Sequence, residues 1–577
     1  MEFWWEPFLT VALVLVLASI LVVERRRWAA ATATVPSYIR RGVVGFAVAA
    51  FLFRQFAVAP AFLHDDYIGP AIVATALSFP PDPSGPWRYG KEYGLAGFTV
   101  LSLAATAFGH NVETIFAANN VSSALTALPL AVVTAFWVES PAAGLYAAAI
   151  WTTAPLVARI AHSEDIHTIG MLWALCGIAL LEIALSLGSG LTLLGAVIAL
   201  ELAALTRQTF YPWLVIAAAI FTERWLRARR SGHVLPRGFG SLSLAALGLA
   251  CVPIALRMHY SIDTWESQDT VTVYRTVLGA PEILWDTLVH HPIVALREVS
   301  FTVPVLGLVG LFVIGHRSRS PLAILLAVAG WFIVGFPTYP NRGSDWPFRF
   351  PFYVLAIIAA GAGAAWVMDR VARRVGRPLS GRVQLGAAAV LAVLGMCSSA
   401  TLENRRPDPE FVEYVFVREA LKHLDTPFSV VANGGTGVPS RTPDLLAFQF
   451  GLPVINTADS PNSLHGPRPF VFLVGLGCHA HGLPELLGLE QTPPGVRPSE
   501  DTMARFHRLA RDRSMHFGLD VGPPPTRMRA PCEKILEHAT TLVEGPEVEL
   551  EDVPPWSFFD VHRLRLRLVR WDPPPSS

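Results

Sequence analysis

The chain has 577 residues, of which 52% are hydrophobic and only 16% are charged, and its 45 acidic residues balance its 45 lysines and arginines. Soluble globular proteins have about a quarter of their residues charged, so this composition indicates a membrane protein. The zero net charge gives no support for nucleic-acid binding, and the positions of the charges are more informative than their sum.

Apolar runs that are long enough to cross a bilayer recur throughout residues 1–400. Arginine clusters separate several of them, at 25–41, 224–237, 317–319 and 370–382. Because basic clusters mark cytoplasmic loops, this pattern predicts a polytopic α-helical protein of the cell (inner or cytoplasmic) membrane, with its amino terminus outside. The roughly 12 predicted spans are 4–23, 42–63, 113–138, 141–158, 166–187, 190–206, 210–222, 239–257, 300–315, 321–336, 350–367 and 383–400.

One apolar stretch, 95–109, is predicted to lie along the outer membrane surface. It is short and follows a proline-rich turn segment at 80–86. Counting it as a span would place the arginines of 224–230 outside, against the positive-inside rule. It is therefore a surface helix within a long first extracytoplasmic loop, 64–112.

The polar residues 401–577 are predicted to form a second, extracytoplasmic domain of the α/β class, after a membrane domain at 1–400. Helical periodicity is followed by short β-branched and alternating runs, which are typical of strands. The predicted elements are helices at 410–424 and 443–450, strands at 428–432, 453–456 and 470–474, and an alternating tail over 558–568.

Two cysteines lie in this C-terminal part. The run Cys478-His479-Ala480-His481 is compatible with a metal site, although its spacing is a weak signal. A disulfide between Cys478 and Cys532 is the alternative that an oxidising compartment favours.

The first outer loop begins with His64-Asp65-Asp66-Tyr67, directly after a predicted span. Carboxylates at a lipid–water boundary are costly unless they are solvated, paired or bound to a cation. Asp65 and Asp66 could therefore deprotonate a hydroxyl, bind a divalent metal, or end the span as a solvated loop. The pattern alone leaves these three alternatives open.

A second acidic group stands in the short outer segment 159–165, which contains His162, Glu164 and Asp165. The topology does not require such a cluster in so short a loop. Two acidic loops on one membrane face suggest a shared cation, with Asp65 and Asp165 as candidate ligands, or a base beside a metal-binding group.

Four basic residues are predicted on the outer side, against the positive-inside trend. Guanidinium groups fit phosphate oxygens, so these residues are candidates for binding a lipid phosphate. Anchoring to lipid head groups is the alternative for each of them. The four are Lys91, Arg207, Arg342 and Arg349.

These motifs together resemble the multi-span GT-C glycosyltransferases, which include the protein O-mannosyltransferases and aminoarabinose transferases. The likeness covers residues 42–370 and depends on the order of the motifs, since no single one is specific. In chain order they are Asp65-Asp66-Tyr67, a Tyr-Gly segment before an apolar surface helix ending at Phe108-Gly109, Glu164-Asp165, Leu205-Thr206-Arg207, His291-Pro292 and Arg349-Phe350-Pro351.

The resemblance implies a GT-C-like fold and a transferase that moves a sugar from a polyprenyl-phosphate donor to an extracytoplasmic glycan, lipid or protein. It implies Asp65 as the general base with Asp66 beside it, and inversion at the anomeric carbon. It also implies that Arg349, with Arg342 and Arg207, holds the donor phosphate. The sequence departs from the family in having Asp-Asp where Asp-Glu is frequent, and in an extra amino-terminal span. Metal use varies within the family, so a divalent metal remains an open alternative.

Two other classes of function compete with this interpretation. A transporter or flippase of lipid-linked or small solutes would use ionisable residues within spans, such as Glu182 and Glu201, and often a two-fold repeat. The sequence shows no clear repeat. A membrane scaffold whose outer domain binds a partner would leave the paired outer acids unexplained.

Overall fold

The computed structural model describes the chain in several separate ranges. Every structural statement below concerns these ranges. They are residues 5–62, 76–77, 79–81, 94–230, 251–252, 254–256, 302–317, 346–398, 405, 408–422, 429–432, 454–456, 470–475, 536–537, 539–549 and 563–571.

Helices dominate the described part of residues 1–400 and pack as a bundle. A short 3-10 turn, Gln208–Phe210, connects two of them. The helices are α1 Trp5–Thr32, α2 Ser37–Ala57, α3 Leu95–Phe108, α4 Val112–Val138, α5 Pro141–Thr153, α6 Pro155–Ala161, α7 His167–Leu187, α8 Gly190–Ala204, α9 Tyr211–Arg230, α10 Thr302–Arg317, α11 Trp346–Val375 and α12 Gly381–Met396.

Several of these helices have the length and composition of membrane spans. Among the described residues, α1, α4, α7 and α11 qualify, and the bent pair α5–α6 raises the number to 5. The helices α3, α8, α10 and α12 are apolar but shorter. The protein is therefore a mostly helical integral membrane protein. The predicted spans 239–257 and 321–336 lie largely or wholly outside the described residues, so the total of about 12 stays a prediction.

The helix α2 ends before the predicted limit of span 42–63. It stops at Ala57, and Val58 has an extended backbone with φ −110° and ψ 129°. Pro60 follows, and it has no amide hydrogen to donate to a helical carbonyl. The chain therefore leaves the helix at Val58 and runs irregularly to Phe62.

The predicted span 141–158 is two helices rather than one. α5 ends at Thr153, α6 begins at Pro155, and the two are bent by 61°. Pro155 cannot donate to the carbonyl of Trp151, four residues earlier, so the hydrogen-bond ladder is interrupted there. The predicted span therefore corresponds to a pair of helices with a break at Pro155, which together have the length and composition of one span.

Small residues allow the central helices to approach closely. A Cβ atom at Gly144 of α5 would lie 2.3 Å from the carbonyl oxygen of Ala131 on α4. A Cβ atom at Gly361 of α11 would lie 2.7 Å from the carbonyl oxygen of Ala143. Backbone-to-backbone contact of this kind is the usual way in which membrane helices associate.

The C-terminal part contributes one helix and a mixed sheet. The strands run in the order β2-β1-β3-β5-β4, with β1 parallel to β2 and β3, and with β5 antiparallel to β3 and β4. The helix contacts β4 and β5. These elements are α13 Pro409–Leu421, β1 Ser429–Ala432, β2 Val454–Asn456, β3 Phe470–Val474, β4 Ala539–Glu549 and β5 Arg563–Trp571.

The helix α13 and the strands β1, β2, β3 and β5 confirm the corresponding predictions, whereas β4 was not predicted. Gly545 and Pro546 interrupt its apolar alternation, and the register with β5 shifts between Glu544 and Glu547. Glycine and proline within a strand often mark such irregularities. The helix predicted at 443–450 and the pair Cys478 and Cys532 lie outside the described residues.

Opposite ends of α1 carry buried carboxylates with different partners. Glu6 accepts a hydrogen bond from the amide of Leu95 (2.9 Å), at the start of α3. Glu24 accepts from the hydroxyls of Ser189 (3.1 Å) and Thr192 (3.3 Å). Eighteen helical residues span about 27 Å, so the two contacts mark opposite ends of the bundle. The segments predicted to be extracytoplasmic gather at the Glu6 end, as described below.

We expect Gly310→Ala to destabilise the packing of α10 on α11. A Cβ atom at Gly310 would lie 1.7 Å from the carbonyl oxygen of Ala359, whereas one at Gly307 would meet nothing closer than 3.8 Å. Overpacking of this kind costs about 1–3 kcal/mol. Thermal unfolding in detergent should therefore show a lower midpoint for Gly310→Ala and an unchanged midpoint for the control Gly307→Ala. Equal midpoints for the two variants would contradict this packing.

Candidate active site

The segment 58–62, which leads to Asp65, is hydrogen-bonded to His162 on one side and to Asp408 on the other. The carbonyl oxygen of Val58 accepts from Nδ1 of His162 (2.9 Å), and the amide of Ala61 donates to the carbonyl of His162 (3.2 Å). The amide of Phe62 donates to Oδ2 of Asp408 (2.9 Å). Asp65 itself lies outside the described residues. These three hydrogen bonds hold the segment that ends at Phe62, three residues before it.

His162 is a neutral hydrogen-bond donor in this arrangement. Burial lowers its pKa more than the hydrogen bond to the Val58 carbonyl raises it. A carbonyl oxygen only accepts, so Nδ1 carries the proton. His162 therefore links two chain segments.

The second acidic loop is buried within the protein, and its predicted place on the outer side of the membrane stays a prediction. Residues 159–161 form the end of α6, and every residue from 155 to 170 is buried. Several of its polar groups are hydrogen-bonded within the protein, which lowers the cost of burying them. Glu164 is fully buried in the same turn.

Asp165 caps the start of α7. Its Oδ1 accepts from the backbone amide of His167 (2.8 Å) and from the ring Nδ1 of the same residue (2.6 Å). Its own amide donates to the hydroxyl of Ser163 (3.2 Å). A carboxylate is favourable at a helix N-terminus because the first amides point toward it. Both Asp165 and His167 are fully buried.

Asn119 on α4 forms hydrogen bonds with residues at both ends of this turn. Its Nδ2 donates to the carbonyl of Ser163 (2.8 Å), and its Oδ1 accepts from the hydroxyl of Thr168 (3.0 Å). Sequence reasoning missed Asn119. Its signal was the polar pair Asn119-Asn120 inside an otherwise apolar span, where polar residues usually have a partner.

The helix α3 joins the acidic loop to the turn that contains Arg207. A Cβ atom at Gly97 would lie 2.8 Å from Thr206 and 3.2 Å from Ile166, so both turns contact the same point of α3. The amide of Ala96 donates to the carbonyl of Leu205 (3.2 Å). The apolar stretch 95–109 is thus confirmed as a helix of its own.

Arg207 is the one predicted basic residue whose side chain the structure describes. It is 2% exposed and follows directly on Thr206. Arg349 lies in the first turn of α11, where only its backbone is described. Lys91, Arg342, Asp65 and Asp66 lie outside the described residues. The structure therefore brings the turn that contains Arg207 and the acidic loop to the same point of α3, and their approach to the other candidates stays a prediction.

The C-terminal part contacts the same end of the bundle through α13. The ring of Phe62 meets the rings of Phe116 and Tyr414 edge-on, with centroid distances of 5.6 Å and 6.2 Å. The guanidinium of Arg418 pairs with the carboxylate of Glu113, in the first turn of α4. The segment that leads to Asp65 is thus packed between the bundle and the C-terminal part.

The described residues contain no group of three His, Cys, Asp or Glu side chains arranged to hold a metal ion. Oδ1 of Asp165 is used by His167. The predicted pairing of Asp165 with Asp65 on a cation involves a residue outside the described ranges and stays a prediction. The cysteines Cys176, Cys251 and Cys397 are free thiols.

No protein-family model matches the chain, and no curated protein matches it. Solved structures of membrane glycosyltransferases do. The archaeal oligosaccharyltransferase AglB from Archaeoglobus fulgidus, solved with an inhibitory peptide and a dolichol-phosphate, is 12% identical with a TM-score of 0.46, over 73% of this chain and 64% of that one. ArnT from Cupriavidus metallidurans, bound to undecaprenyl phosphate, is 13% identical with a TM-score of 0.46, over 75% of this chain and 92% of that one.

A third similar structure is the arabinosyltransferase EmbB from Mycobacterium smegmatis. It is 15% identical with a TM-score of 0.37, over 67% of this chain and 40% of that one. These neighbours are GT-C membrane glycosyltransferases, the class that the sequence resembles. Because the identities and TM-scores are low, the function proposed below rests on the residues of this chain.

We expect Glu113 and Arg418 to be energetically coupled. A double-mutant cycle of Glu113→Gln and Arg418→Gln should give a coupling energy of about 1 kcal/mol, since the pair is only partly buried. Thermal or denaturant unfolding in detergent measures it. Lys422→Gln in place of Arg418→Gln is the control, and its effect should be additive with that of Glu113→Gln. Among the described residues, Lys422 pairs only with the exposed Glu419. Strict additivity of Glu113→Gln and Arg418→Gln would contradict the docking of α13 on α4.

Proposed function

We propose that this protein is a membrane glycosyltransferase that moves a sugar from a polyprenyl-phosphate donor to an extracytoplasmic glycan, lipid or protein. The observation that supports this function most is the arrangement of three chain segments at one end of the bundle. There, the segment leading to Asp65 is hydrogen-bonded to His162, and the adjacent acidic turn shares a helix contact with the turn of the buried Arg207. An acid and a cation held at a helix end suit a donor whose lipid tail stays in the bilayer.

Asp65 is the general base of this reaction. The hydroxyl oxygen of the acceptor forms a bond to the anomeric carbon while the bond from that carbon to the phosphate oxygen breaks. The proton of the hydroxyl passes to the Asp65 carboxylate, and the electron pair of the broken bond remains on the polyprenyl phosphate. A single displacement of this kind inverts the anomeric carbon. Asp66 stands beside the base as a second acid.

Arg207 stabilises the leaving phosphate, together with Arg342, Arg349 and Lys91. Charge that develops on a leaving group is best stabilised by preorganised cations in a site that excludes water. Arg207 is almost fully buried, and a guanidinium fits phosphate oxygens in a two-point geometry. A divalent cation held by Asp65 and Asp165 would supply the same stabilisation.

The site faces the extracytoplasmic side in this proposal. The arginine clusters at 25–41 and 370–382 belong to the helix ends opposite to Glu6, and basic clusters favour the cytoplasm. Tyr38 lies within the first cluster and is hydrogen-bonded (2.9 Å) to Gln384, two residues after the second. The bundle thus has a basic end, and the candidate site is at the other end.

Asp65→Asn should abolish sugar transfer while the protein still folds and inserts. Mass spectrometry of the lipids that co-purify with the protein identifies the donor, and transfer from that donor is then measured in reconstituted vesicles. Removal of a general base lowers the rate by about 10²–10⁴-fold, and Asp66→Asn should lower it less. Glu139→Gln is the matched acid-to-amide control, because Glu139 lies at the far end of α4 and is exposed. Undiminished transfer by Asp65→Asn would remove Asp65 as the base.

The orientation can be tested with single cysteines on either side of α12. Arg405 and Arg377 are exposed and are separated by this helix. In a variant without the native cysteines, a membrane-impermeant maleimide should label Arg405→Cys in intact cells, and should label Arg377→Cys only after the membrane is opened. The reverse pattern would place the candidate site in the cytoplasm and would overturn the proposal.

A further inference from the structure

A buried arginine lies in the last turn of α2, outside the groups used above. Arg54 is fully buried. Its Nη1 donates to the hydroxyl of Ser123 (2.7 Å), its Nη2 donates to the carbonyl of Trp151 (2.5 Å), and its guanidinium stands 5.8 Å from the centre of the Trp151 ring. No carboxylate of the described residues forms an ion pair with it. Burying a cation inside a membrane bundle costs free energy, so a compensating interaction is expected.

The compensating interaction is with the break between α5 and α6. In an unbroken helix the carbonyl of Trp151 would accept from the amide of residue 155, but Pro155 has no amide hydrogen. The carbonyl belongs to the last turn of α5, where unpaired carbonyls give the helix a partial negative charge. Arg54 supplies both the missing donor and a positive charge at this point.

The same contact joins three helices. The indole of Trp151 donates to the backbone carbonyl of Ser123 on α4 (2.8 Å), so Ser123 receives one bond from α2 and one from α5. One turn earlier, Asn120 donates to the carbonyl of Phe51 on α2 (3.1 Å). The end of α2, the middle of α4 and the broken helix are therefore fixed to one another by Arg54 and its neighbours.

We propose that Arg54 is a positioning residue that sets the two loops of the candidate site relative to each other. Four residues after Arg54, Val58 begins the segment that leads to Asp65, and the short helix α6 leads from the break to His162 and Asp165. Arg54 thus stands where both loops originate. Its effect on catalysis rests on the proposed function, whereas its effect on the geometry of the loops does not.

The geometric effect can be measured by disulfide cross-linking in the full-length protein in membranes. The amide of Ala61 bonds the carbonyl of His162, so Ala61→Cys with His162→Cys, in a variant without the native cysteines, should cross-link rapidly on mild oxidation. Adding Arg54→Met should slow the cross-link at least several-fold. Arg41→Met, which removes an exposed arginine from the same helix, is the matched control and should cross-link like the parent.

Sugar transfer provides the second measurement, in the protein with its native cysteines. Displacement of reacting groups by about 1 Å lowers turnover by about 100-fold, so Arg54→Met should lower kcat far more than it changes KM for the donor. Arg54→Lys, whose ammonium group reaches only one of the two oxygens, should give a kcat between those of the parent protein and Arg54→Met.

Two outcomes would overturn the role of Arg54: equal cross-linking with and without Arg54→Met, or an equal slowing by Arg41→Met. If Arg54→Met does not accumulate in the membrane, Arg54→Lys decides, and cross-linking at the parent rate would then contradict the proposal. A protein that transfers no sugar but shows the expected cross-linking would refute the proposed function and retain the role of Arg54.

Discussion

The structure depends on the rule that a polar group inside a membrane bundle must find its partner within the protein. Where a helix ends or breaks, carbonyls and amides lose their helical partners, and at three such points a side chain replaces them. Glu6 does so at the start of α3, Asp165 at the start of α7 and Arg54 at the break after α5. These side chains come from distant parts of the chain, so each replacement also ties two elements together. The candidate site is where several of these ties meet.

This rule explains which features could be predicted from the sequence. Helices such as α4, α7 and α8 are continuous apolar runs, and their limits follow from hydrophobicity and flanking polar residues. The helix α3 was predictable as a separate element because it is a short apolar run after a proline-rich segment, and its place on the outer surface stays a prediction. Pro155 and Pro60 were visible in the sequence as signals of a break, but a run of hydrophobic residues outweighed them.

The burial of the acidic loop could not be predicted in the same way. His162, Glu164 and Asp165 have the composition of an exposed loop, and only the three-dimensional contacts with α3 and the segment 58–62 cover them. The roles of Asn119 and Asp408 were equally hidden, since their partners lie 44 and 346 residues away. A hydropathy pattern carries local information, whereas hydrogen-bond partners of this kind are set by the tertiary fold.

The contact between Asp408 and the amide of Phe62 has a consequence for how the chain can be divided. Phe62 is enclosed by rings from both the bundle and α13, and its amide has its partner on the C-terminal side of residue 400. The membrane bundle and the C-terminal part that carries the sheet therefore share a packed contact at Phe62. Transplanting either of them onto another protein would expose aromatic surface on both sides of the cut. Residues 408–421 contact both the bundle and the strands β4 and β5, so a cut on either side of this helix would remove packed surface.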